Sequence, residues 1–221
     1  HESGTLVSGI IGGLYSSTAT ISVLARKSRK ASEQEATDYV AAMLLAISMM
    51  FLRFMILILI FSREIFLSIY PYLLTMAVVA AIVAWFIHSR QKRSNDQPVE
   101  AEEDDSSNPL EFKVALIFAV LFVVFTFLTH YTLVYAGTGG LNLLSFVSGF
   151  SDITPFILNL LQNTGSVAAL IITACSMQAI ISNIMVNMFY ALFFAGKGSK
   201  LRPWILGGFG VVIACNLVLL L

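Results

Sequence analysis

Gly149-Phe150-Ser151-Asp152-Ile153-Thr154-Pro155 is the stretch on which the reading of this chain turns. It interrupts an otherwise apolar half, and Asp152 is the one acidic residue there that lies neither at a predicted membrane edge nor in a linker. An earlier segment, Gly13-Leu14-Tyr15-Ser16-Ser17-Thr18-Ala19-Thr20, echoes it: glycine, then leucine or an aromatic, then a small polar cluster ending in threonine. Two polar breaks in apolar surroundings predict one site shared by two repeated halves.

Around these breaks the 221 residues are 57% hydrophobic and 12% charged, with a mean hydropathy of +0.84. Soluble domains carry about twice that charged fraction, and several apolar runs here reach the roughly 20 residues that cross a hydrocarbon core. The predicted fold class is all-α, a polytopic transmembrane helical bundle of about five full spans plus two discontinuous or re-entrant segments. A β-barrel would show dyad alternation over segments of about ten residues, and the chain has none. Cys175 and Cys215 sit inside apolar runs without metal-ligand spacing, so they read as packing residues. No H-E-x-x-H, G-x-S-x-G or C-x-x-C pattern is present, so neither an enzyme nor a cofactor is expected.

In order, residues 5–25 form the first broken segment, closed by Arg26-Lys27-Ser28-Arg29-Lys30. A polar connector follows, in which Thr37 or Asp38 suits a helix cap. Residues 39–61 and 66–88 make two spans, with Arg63 and Glu64 in the turn between them and Pro71 expected in the first turn of the second. Residues 1–88 are thus a first half. The stretch 89–108 runs from basic to acidic and reads as a solvated linker. The second half, 109–221, holds a span at 111–135, the second broken segment at 141–163, and spans at 166–195 and 203–221.

Thirteen Lys and Arg residues fall into a pattern. All but Arg53 and Arg63 lie in the segments 26–30, 90–113 and 197–202, which the positive-inside rule places together in the cytoplasm. Between the second and third of these segments an even number of crossings is required, so the segment 141–163 enters from the outer face and returns there. By the echo, 5–25 is the matching hairpin from the cytoplasmic face. The halves then have opposite orientation, the inverted-repeat plan of many secondary transporters. The second half has a leading span that the first lacks, so the natural chain is expected to continue upstream of His1 with at least one more helix.

Asp152 and Thr154 suit the cap of a half-helix opened by Pro155, and Ser16, Ser17 and Thr18 suit the cap of another. Arg53, near the middle of the span 39–61, costs roughly 2.5–3.5 kcal/mol on insertion scales and must find a partner inside the protein; Asp152 is the expected one. Asn183 and Asn187, four apart, share a helical face near Gln178. Such amides line a path or fasten helices together at about 0.6–2 kcal/mol each. His130, near the outer edge, reads as interfacial.

Three stretches carry a family resemblance. Gly12-Gly13-Leu14-Tyr15-Ser16-Ser17-Thr18-Ala19-Thr20, followed by Leu24-Ala25-Arg26-Lys27-Ser28, resembles the GGLVSSTATT…LARRS signature of an uncharacterised bacterial membrane domain found C-terminal to MgtC/SapB-type domains. Asn108-Pro109-Leu110-Glu111-Phe112-Lys113 resembles its NPLEL motif, and Gly149-Phe150-Ser151-Asp152-Ile153-Thr154 its GLTDVDA motif. The resemblance implies a bacterial inner membrane, an MgtC-like region upstream of His1, and a link to Mg²⁺ homeostasis by association only. It places Arg53 and Asn183 where the family carries arginine and asparagine. Asn187 stands where lysine is more usual, and Ile153-Thr154 replaces a Val-Asp pair, so the second acid of a carboxylate pair is missing.

Two functions follow as expectations. The first is a transporter or channel for an ion or small solute, with Ser16, Ser17, Thr18, Thr20, Asp152 and Thr154 at a midplane site and Arg53, Asn183 and Asn187 around it. Asp152 would be the metal ligand if a metal binds there. The second is a non-transporting regulatory or scaffold module whose polar residues fasten helices. The lipid bilayer is the expected partner, a homo-oligomer is compatible with either reading, and nucleic acid is not expected, since topology accounts for the basic residues.

Overall fold

The computed structural model describes residues 2–30, 33–90, 109–163, 167–196, 199 and 201–220. These form helices α1 (Glu2–Lys27), α2 (Glu33–Phe61), α3 (Arg63–Ser89), α4 (Pro109–Ser148), α5 (Thr154–Gln162), α6 (Ala169–Ala195) and α7 (Arg202–Leu220), with a 3₁₀ turn at Ser28–Lys30. Six of the helices are long and apolar enough to cross a membrane, so the chain is a multi-pass helical membrane protein. Most of the stretch 89–108 lies outside the described residues.

Two of these helices are broken. Ser16 is extended, at φ −157° and ψ 107°, and a Cβ added at Gly12 would stand 2.5 Å from the Thr20 hydroxyl oxygen. Residues eight apart in a continuous helix are separated by about 12 Å, so α1 doubles back at Ser16 into two arms. In α4 the break is Gly137, whose φ of +58° is one that side-chain-bearing residues rarely adopt. There a Cβ at Gly140 would meet the Thr132 side chain at 2.6 Å, eight residues back, and the chain again turns sharply.

Contacts fix the directions. Gly9 faces the Ala42 backbone and Gly13 the Ala46 backbone, so the first arm of α1 runs parallel to α2. The second arm leads through a short connection into the start of α2 and therefore runs against it. Likewise Cys175 contacts Asn142, Ser182 donates to the Phe146 carbonyl at 2.6 Å, and Gly149 lies against Ser182 and Asn183. The last arm of α4 thus runs parallel to α6. α5 returns to the start of α6 and runs against it. Helices gain no hydrophobic drive from one another in lipid, and small residues that allow close backbone approach hold them instead. Gly9 and Gly13 against Ala42 and Ala46 are that device.

One face of the bundle gathers the basic segments. Arg29 donates to the carbonyls of Phe193 (3.3 Å) and Phe194, capping the end of α6, and Arg26 lies over the Phe194 ring at 4.3 Å. His88 Nδ1 meets Asp38 Oδ1 at 2.8 Å, and Gly208 packs on Leu44 and Ile87. The ends of α1, α3 and α6 and the starts of α2 and α7 therefore share that face. α6 runs towards it and α2 away from it.

Three local expectations are corrected. α2 begins at Glu33, so Asp38 lies within it and is buried against His88 rather than capping a helix. The turn before α3 is tighter than expected: Ser62 alone separates the helices and caps α3 through the Ile65 N–H at 3.4 Å. Pro71 consequently lies inside α3, where the Thr75 hydroxyl donates to its carbonyl at 2.6 Å.

The glycine contacts make a paired prediction. Gly13→Ala drives a Cβ to 2.5 Å from the Ala46 Cα and is expected to destabilise by about 1–3 kcal/mol, the cost of overpacking. Gly207→Ala meets nothing within 4 Å and should be neutral or stabilise by up to about 1 kcal/mol. Thermal unfolding of the two variants in detergent checks the opposite signs.

Candidate functional site

The break in α1 is built by its own hydroxyls. Ser16 Oγ accepts from the Ala19 N–H at 3.3 Å, which caps the second arm. The Thr20 hydroxyl donates back to the Ser16 carbonyl at 2.8 Å, and Ser22 to that of Thr18 at 2.8 Å. Thr20 is thereby turned into its own hairpin, and the buried Ser17 and half-buried Thr18 make no hydrogen bond to Arg53 or Asp152.

At the second turn, Asp152 Oδ1 accepts from both the Thr154 N–H (2.9 Å) and the Thr154 hydroxyl (2.7 Å). This Asx turn launches α5. Pro155 follows in the first turn of that helix, where a missing N–H does no harm. From α6, Asn183 Nδ2 donates to the carbonyls of Gly149 (3.1 Å) and Ser151 (3.3 Å), and Asn187 Nδ2 to Asn183 Oδ1 at 3.0 Å. Gly149 can only be glycine here, since a Cβ would collide with Ser182 and the Asn183 backbone. Asn183 is therefore a clasp on the turn, and Asn187 steadies the clasp.

Arg53 joins the two turns. Its Nη1 donates to the Tyr15 carbonyl at 2.7 Å and its Nη2 to the Thr154 hydroxyl oxygen at 3.1 Å. Because the Thr154 hydroxyl proton already points at Asp152, its lone pairs are free to accept, and the chain Asp152–Thr154–Arg53 is oriented end to end. The expected direct pairing of Arg53 with Asp152 is thus replaced by one bridged through Thr154. Arg53 is also off-centre, eight residues before the end of α2 at Phe61, or about 12 Å along the axis. Its length lets it reach back to turns packed lower on the helix.

Arg53 Nε and Asn187 Oδ1 are buried without partners, whereas Asp152 is exposed on the protein surface. Among the described residues no cluster of three His, Cys, Asp or Glu side chains could hold a metal, leaving Asp152 as the one carboxylate of the site. Beside the second turn runs a groove of about 370 Å³ lined by Phe146, Phe150, Met185 and Phe189. Its walls are apolar, and none of the predicted site residues lines it. His130 is exposed and edge-on to Tyr131 at 5.9 Å, apart from the site.

Sequence reasoning named Arg53, Asp152, Thr154, Asn183 and Asn187, which this arrangement connects, and Ser16, which caps within it. It missed the Tyr15 carbonyl and Ser182. The Tyr15 carbonyl carries no side-chain signal. Ser182, adjacent to Asn183 on a helix rich in small polar residues, carried a weak one.

Comparison with known proteins gives a family without a function. The chain belongs to the family described as "Domain of unknown function (DUF4010)", whose model matches residues 1–195. An uncharacterized protein of Aquifex aeolicus (strain VF5) is 25% identical over 217 residues, covering 97% of this chain and 93% of that protein. No solved structure matches.

The bridging role of Thr154 predicts a graded series. Thr154→Val removes the hydroxyl that serves both Asp152 and Arg53 and should cost about 1–3 kcal/mol, as for hydrogen bonds to charged groups. Thr154→Ser, which keeps the oxygen, should restore most of it in thermal unfolding.

Proposed function

We propose that this protein is a transporter or channel for an ion or small solute, with its site where the two hairpin turns meet at Arg53. The observation that carries this reading is the state of Asp152. It is tied through Thr154 to a half-buried arginine yet lies exposed rather than sealed in a dry core. A carboxylate at membrane depth does not face hydrocarbon; it faces the bundle interior or water, and non-helical backbone there lines a cavity or is buried in protein. Water reaching both turns satisfies both requirements at once.

The paired hairpins support an inverted repeat as the frame for such a site. In the first half a hairpin, α2 and α3 follow one another; in the second the hairpin made by the end of α4 and α5, then α6 and α7. α2 and α6 run in opposite senses. With the basic face taken as cytoplasmic, the first hairpin enters from inside and the second from outside. The motif resemblance supports the bacterial inner membrane as its setting and an MgtC/SapB-type region as a partner. The second reading, a regulatory or scaffold module, draws on Asn183 and Ser182, which do fasten helices; it gives no account of an exposed Asp152.

Flux into proteoliposomes tests the proposal. Parent protein should move at least one of Mg²⁺, protons or small anions, and Asp152→Asn should change the rate or its pH dependence while leaving the fold intact. No movement of any of them by the parent, or an identical profile in the variant, contradicts it.

A further inference from the structure

Resting on that reading of the site, we infer that the solute recognised there is a small oxyanion, bound by the Arg53 guanidinium between the two turns. A metal cation would need several oxygens, and the backbone carbonyls exposed at the two turns each already accept a donor from the protein. The Tyr15 carbonyl takes Arg53 Nη1; the Ser16 carbonyl takes Thr20; the Thr18 carbonyl takes Ser22. The carbonyls of Gly149 and Ser151 take Asn183. Thr154 Oγ1 takes Arg53, and Asp152 Oδ1 takes two donors from Thr154.

Besides the Asn187 amide oxygen, what remains unpaired beside the turns is a donor. Arg53 carries a full positive charge inside the bundle without a direct carboxylate partner, and its Nε–H is buried with none at all. Nε and Nη2 lie on one edge of the planar guanidinium, the edge that matches two oxygens of a carboxylate, sulfate or phosphate. Nη2 is held there only by the neutral Thr154 hydroxyl, at 3.1 Å, which an oxyanion can displace. Both half-helices, the second arm of α1 and α5, begin at these turns, so their positive dipole ends add to the same field. Asp152 opposes that field through one intervening hydroxyl.

Equilibrium binding to the purified chain in detergent tests this with radiolabelled sulfate, inorganic phosphate and acetate, with Mg²⁺ as the cation probe. At least one of the three anions should bind saturably. Arg53→Gln should weaken it roughly ten- to hundredfold, the loss of a charge-assisted hydrogen bond or two. Should Arg53→Gln fail to fold, Arg53→Lys keeps the charge without the fork and should still weaken binding severalfold. Asp152→Asn should bind the anion as well as the parent or better, because the opposing charge is gone. Three results overturn the inference: no saturable binding of any of the anions, binding unaltered by the Arg53 variants, or saturable Mg²⁺ binding that Asp152→Asn abolishes. Cation flux without anion flux in proteoliposomes ends this inference and leaves the transporter reading standing. Anion binding without flux of any solute ends the transporter reading and leaves this one.

Discussion

A guanidinium half-buried among membrane helices has to be given acceptors, and in this protein the acceptors come from two places far apart in the chain. Arg53 donates to the carbonyl of Tyr15 and to the hydroxyl of Thr154, 38 residues before it and 101 after it. The break at Ser16 releases the Tyr15 carbonyl from its helical partner, since the Ala19 N–H goes to Ser16 Oγ instead, and the restart at Asp152 sets Thr154 at the head of α5. The two breaks and the arginine therefore support one another: each turn gives the charge an acceptor, and the charge gives each turn a donor.

The rest of the bundle holds the turns at the right height for this to happen. Gly9 and Gly13 bring the first arm of α1 against Ala42 and Ala46, about two to three turns below Arg53 on the same helix. Gly149 lets the second turn lie flat on α6, where Asn183 clasps two of its carbonyls. These contacts exploit close backbone approach and interhelical hydrogen bonds, the interactions that remain when lipid removes the hydrophobic advantage of helix association. Arg29, capping the last carbonyls of α6, ties the first hairpin to the second half at the opposite end of its arm.

Much of this was legible in the sequence because breaking a helix in a membrane requires particular residues. Gly12-Gly13 with Ser16, and Gly149 with Asp152 and Pro155, announced both turns. The register between elements was not legible. That Thr154 rather than Asp152 would touch Arg53 depends on an Asx turn closing on the very residue that follows it by two. Asp38 looked like a cap because α2 runs further towards its polar end than hydropathy indicates, and its partner His88 lies 50 residues away. Ser17, Thr18 and Thr20 were grouped with the site by composition alone, whereas a hairpin gives each of them a different direction. Sequence spacing along a single helix reports which residues share a face; it does not report which face a returning arm presents.

A shared site requires the two turns to meet at Arg53, and their proximity is the most direct test of it. With Cys175 and Cys215 replaced by alanine, cysteines introduced at Ser16 and Ile153 should be joined within one chain by a short bifunctional thiol reagent in native membranes. A control pair at Ser16 and Arg63, on different levels of the bundle, should not be. Failure of the first pair to link while both cysteines remain individually reactive would contradict the shared site.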